Sequence, residues 1–134
     1  MTTPADKQTD LLQRLAALLE DLREAGGQDG EAMAMLGTLA GDLARAHDRP
    51  SWSAAKATMT RQTYEALLEK FRTSGNEHVA AGRVRNAYAI QALALSLVAA
   101  TQRGNAQIAE GERLLDAIID QTVATYLRLS PRAN

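Results

Sequence analysis

Leucine and alanine recur along this chain at alternating steps of four and three residues, the spacing that lines one face of an α-helix. Leu11, Leu15, Leu18, Leu22 and Ala25 form a first stripe, widened by Leu12 and Leu19. They predict a helix over 9–25, capped by Thr9 or Asp10 and ended by Gly26-Gly27. Ala32, Leu36, Leu39, Leu43 and Ala46 predict a second helix over 31–47, with Gly37 and Gly41 as small contact positions within it. Asp48-Arg49-Pro50-Ser51 is a break, because proline disfavours helix at the residue before it and starts the next element well. Trp52 follows, in the place where an indole seals a core edge.

Downstream the pattern stays helical with glycine punctuation. Met59, Thr63, Leu67 and Phe71 are spaced by four, with Tyr64 and Leu68 beside them. A nearly all-apolar run from Ala87 to Ala100 is interrupted only by Gln91 and Ser96. Its fourteen residues are too few to span a bilayer, so it is read as a buried helix ending near Thr101. Either Gly75 or Gly82 must mark a break before it, since glycine inside a helix costs about 1 kcal/mol. A last helix over 106–129 should bury Ile108, Leu115, Ile118, Ile119, Thr122 and Tyr126, between Gly104-Asn105 and Ser130-Pro131.

Composition supports the same class. The apolar residues are mostly Ala and Leu, with one Phe, one Trp and three Tyr, which favours helix over strand. The expected fold is all-α: a compact bundle of about five helices in one domain over 1–134. It divides into an N-terminal hairpin (9–47) and a C-terminal helical unit (53–129). The absence of cysteine excludes disulfides, thiolate zinc sites and a cysteine nucleophile, and fits a cytoplasmic chain.

Candidate chemistry is sparse. His47 and His78 lack the convergent partners that a metal site needs, so neither a metal nor a cofactor is expected. No phosphate-binding loop, nucleophile elbow or triad is present, and no catalytic residue is assigned. Asp116 and Asp120, four apart beside the apolar stripe, read as solvated carboxylates. Charge is uneven: residues 1–55 sum to −4, residues 56–103 to +4 and residues 104–134 to −1. Lys70, Arg72, Arg83 and Arg85 form the densest basic patch and offer an alternative role as a nucleic-acid-associated regulator. The overall net charge of −1 argues against nucleic acid as the principal partner.

Phe71, Gly75-Asn76, His78, Gly82, Ala87 and Ala94-Leu95 carry a family pattern: the 25 residues over 71–95 resemble a single tetratricopeptide repeat. Ser74, Gln91 and Ala99 depart from it, and no second copy lies 34 residues away on either side. The resemblance implies a hairpin in which Gly75 lets two helices touch and Gly82 makes the turn. It also implies binding of a protein or peptide without chemistry, at groove-facing Arg72, Asn76 and Val79. In a plain bundle, Ser74-Gly75-Asn76 is the turn instead. The expected function is therefore a non-catalytic protein–protein interaction module, of adaptor, chaperone-like or regulatory kind, with no membrane partner. The Leu-rich first hairpin offers a surface for homo-oligomerisation.

Overall fold

The structure, a computed structural model, describes residues 13–15, 17, 18, 20, 21, 24, 30–102 and 104–129. Residues described between 13 and 24 are helical, and five further helices follow. These are α1 (Gly30–Ala46), α2 (Trp52–Thr58), α3 (Arg61–Ala80), α4 (Val84–Thr101) and α5 (Ala106–Leu129). No strand occurs among the described residues, so the chain is an all-α bundle. Leu15 and Leu18 of the first stripe are buried; Leu11, Leu12, Leu19, Leu22 and Ala25, with the caps assigned to that helix, lie outside the described residues.

Helix α4 is the centre. It packs against α1, α3 and α5, and its alanines at 87, 89, 92, 99 and 100 are buried. Methyl side chains let neighbouring helices approach closely, and Ile90, Leu93 and Leu97 fill the space between them. Each such aliphatic side chain taken from water contributes about 1.5–3 kcal/mol.

Helix α1 seats on α5 by the same device. A β-carbon on Gly37 would stand 2.9 Å from both Cγ2 and the backbone oxygen of Thr122. One on Gly41 would enter the Tyr126 ring. Tyr126 is fixed further: its hydroxyl donates to Asp42 at 3.0 Å, and the Arg45 guanidinium lies 5.1 Å from its ring centre.

Two helices end in the same hydrogen-bonded turn. After α1, the Asp48 amide donates to the Arg45 carbonyl (3.0 Å) and the Arg49 amide to the Ala44 carbonyl (2.8 Å). After α3, Gly82 donates to Val79 (3.0 Å) and Arg83 to His78 (2.8 Å). The pivot is left-handed in both, with φ 52° at Asp48 and 79° at Gly82. The break of the C-terminal half therefore falls at Gly82, and Gly75 is buried inside α3 facing Ile90.

The spacing of Met59, Thr63, Leu67 and Phe71 suggested one continuous helix, and here the structure differs. Met59 is extended (φ −73°, ψ 141°), and the Thr60 hydroxyl caps α3 by accepting from the Thr63 amide at 3.2 Å. A Thr cap outcompetes continuation because it satisfies an otherwise orphaned amide. The result is a short α2, capped by Ser51, that can turn into the core.

Candidate functional site

Helix α2 brings Trp52 and Lys56, one turn apart, under α4 and α5. Both are buried. The Trp52 indole N–H donates to Ser96 Oγ on α4 at 2.9 Å. Lys56 Nζ donates to Ser96 Oγ (3.0 Å), to Glu112 Oε2 (2.5 Å) and to Asp116 Oδ2 (2.6 Å). Ser96 in turn donates to Asp116 Oδ1 at 2.6 Å. One helical turn on, Asp120 accepts from both the amide and the hydroxyl of Ser53. Tyr64 ties α3 to this junction by donating to the Lys56 carbonyl at 2.6 Å.

The electrostatics follow from burial. Desolvation pushes the Asp116 carboxyl above its ordinary value of 3.8. The Lys56 ammonium and the Ser96 hydroxyl pull it part of the way back, and the Glu112 charge adds to the rise. Asp116 and Asp120 were expected in solvent. Asp116 is instead buried in an ion pair and Asp120 is half-buried, because α2 offers both of them donors.

A serine beside a lysine invites comparison with a nucleophile and its base. The geometry opposes that role. Ser96 is fully buried, and its proton goes to Asp116. All three Lys56 ammonium protons are placed, so the amine has no lone pair to accept another. The cluster joins three helices and leaves an opening on one side. That opening is a cleft of about 250 Å³ lined by Ser53, Lys56, Ala57, Tyr64, Ala100, Glu112 and Asp116. It shares Tyr64 and Ala100 with a wider groove of about 600 Å³ lined also by Arg61, Glu65, Leu68 and Thr101.

The residues singled out from sequence lie elsewhere on α3 and its turn. Arg72, Asn76 and Val79 are exposed and, at steps of four and three, share one side of α3. The basic residues lie on α3 and at the turn into α4. Lys70 and Arg72, two positions apart, project roughly 200° apart around α3. Arg72 pairs with Glu69, and Arg83 donates to His78 Nδ1 at 2.8 Å. Arg85 stands exposed at the start of α4. Among the described residues no three His, Asp or Glu side chains converge as metal ligands, and no helix is long and apolar enough to cross a membrane.

Sequence reasoning missed Lys56, Glu112 and the role of Ser96. Their only trace in sequence is a polar residue inside an apolar run: Lys56 among Ala54, Ala55 and Ala57, and Ser96 within 87–100.

No family model, curated protein or solved structure matches this chain.

Proposed function

We propose that this chain is a non-catalytic helical protein–protein interaction module, of adaptor, chaperone-like or regulatory kind, that receives its partner along the outer side of α3. The observation that carries this reading is the one-sidedness of that helix. Of its twenty residues only Phe71 and Gly75 are buried, and its principal packing is against α4. Tyr64, Leu67 and Leu68 hold the inner face of α3 on the core, which leaves its outer face free to carry a partner. Arg72, Asn76 and Val79 are the contact residues, with the Asn76 amide able to pair with a partner backbone. Within this reading residues 71–95 serve as a tetratricopeptide-like hairpin, and the chain works in the cytoplasm without a cofactor.

The test is affinity capture with the tagged full chain, with and without nuclease, beside Val79→Asp and Asn76→Ala variants. A stoichiometric protein that survives nuclease and is lost from Val79→Asp is the expected outcome. Retention by both variants would remove α3 as the docking side. Loss of every partner on nuclease treatment would transfer the function to nucleic acid through the basic patch.

A further inference from the structure

The groove beside α3 has an apolar limb and a charged end. Tyr64, Leu68 and Ala100 wall the limb, with the exposed Arg61–Glu65 pair at its rim. The charged end holds two carboxylates, Glu112 and Asp116, against one ammonium, Lys56. What this end presents to a visitor is decided by exposure and by hydrogen-bond supply. The Lys56 side chain is only 5% exposed and its three protons are committed. The Glu112 side chain is 21% exposed, and its Oε1 has no partner among the described residues. Glu112 therefore brings to the cleft a carboxylate with one oxygen unmatched among the described residues, and among those residues the cluster sets two carboxylates against one ammonium. An anion would meet two like charges there, and an uncharged group would leave the imbalance in place.

We propose that the groove receives a partner peptide whose Lys or Arg side chain enters the charged end to pair with Glu112. An adjoining apolar side chain of that peptide lies on Tyr64, Leu68 and Ala100. The inference rests on the interaction-module reading and names the partner's chemistry. A peptide is favoured over a free amine by the extent of the surface. Arg61, Glu65, Leu68, Arg72, Asn76 and Val79 follow one another at steps of four and three along one side of α3. That side runs roughly 27 Å at the helical rise, far beyond the reach of a single amine. A guanidinium or ammonium head fits the smaller hollow, and the larger one has room for a Leu-sized side chain and the turn of backbone that carries it.

The experiment selects from a displayed library of random linear peptides on the immobilised full chain. The most enriched peptide is then measured by fluorescence anisotropy. The expected consensus is Lys or Arg beside a large apolar residue. Affinity should fall at least tenfold with Glu112→Gln, and equally when the basic residue of the peptide is replaced by Met. The second change leaves the protein untouched, so a folding defect cannot imitate it. Trp52 emission and far-ultraviolet circular dichroism check that Glu112→Gln keeps the fold. An acidic or uncharged consensus, or affinity within twofold after both changes, overturns the inference. Peptides lost with Val79→Asp but indifferent to Glu112→Gln would sink it while leaving the module reading intact. Failure to select any peptide counts against both. Two further outcomes overturn the choice of occupant: n-butylamine binding as tightly as the peptide, or self-association of the chain that Glu112→Gln abolishes.

Discussion

Lys56 shows what a charged side chain requires in a helical core. Its ammonium is tolerated because Ser96, Glu112 and Asp116 take all three protons, and the side chain as a whole is buried. Truncating one partner leaves the others uncompensated, which is costlier than never having built the pair. Lys56→Ala should therefore lower the unfolding free energy by about 3–5 kcal/mol, read from the urea midpoint followed by Trp52 emission. An isosteric Lys56→Met chain that is equally unstable would support the cost of two orphaned carboxylates over loss of packing. Asp116 adds a pH dependence whose sign follows from its raised carboxyl. The folded state favours the protonated form, so its contribution to stability is complete below the ordinary value of 3.8. That contribution is lost as pH rises through the higher folded value. Asp116→Asn has no such loss. Its stability relative to the parent should improve as pH is raised from about 4 toward neutrality. A constant difference across that range would contradict the cause assigned to the shift.

The two matching turns after α1 and α3 allow a comparison at the scale of the element. Both put one residue in the left-handed region; glycine fills it after α3 and aspartate after α1. Gly82→Ala should cost about 1 kcal/mol, because a β-carbon crowds the following carbonyl there. Asp48→Gly should gain about 0.5 kcal/mol, relief of that crowding being partly offset by a freer unfolded chain. Thermal melts of the two variants against the parent give both signs at once. The α1–α5 contact makes the opposite demand on glycine. Gly37→Ala places a methyl against the Thr122 backbone oxygen, which cannot swing away as a side chain can. It should destabilise by about 1–3 kcal/mol in spite of alanine's better helix propensity. At Gly30 a β-carbon meets nothing within 4 Å, which makes Gly30→Ala the control that carries the propensity gain alone.

At the scale of the whole molecule, stability is distributed according to which helices surround which. α4 is enclosed by α1, α3 and α5, whereas α3 rests chiefly on α4 and is pinned at one end by Tyr64. Opening α3 releases only two buried residues of its own, Phe71 and Gly75, together with the α4 face they cover, whereas opening α4 releases eleven. Amides of α3 should therefore exchange with solvent well before those of α4, through an opening smaller than global unfolding. Equal protection of both helices would mean that the bundle opens only as one unit. Early exchange of α3 would also suit the docking role proposed for it, since a side that adapts to a partner comes from the less stable end of the fold.

Much of this architecture is legible in the residues taken in order. The four-three spacing and the Ala- and Leu-rich composition dictate helices, because only a helix gathers such positions on one face. The end of α4 at Thr101 and the span of α5 from Ala106 to Leu129 follow from Gly104-Asn105 and from Ser130-Pro131. Local competition was harder to read. The break at Met59-Thr60 depended on a threonine cap overriding apolar spacing, and the choice between Gly75 and Gly82 depended on which of them α4 would cover. The candidate groove was beyond reach of the sequence altogether. Lys56 and Glu112 lie 56 positions apart, and each alone is an ordinary charged residue on a helix. Periodicity reports the face a residue occupies; only the packing of α2 against α4 and α5 decides which faces meet. It was that meeting which buried an ammonium between two carboxylates.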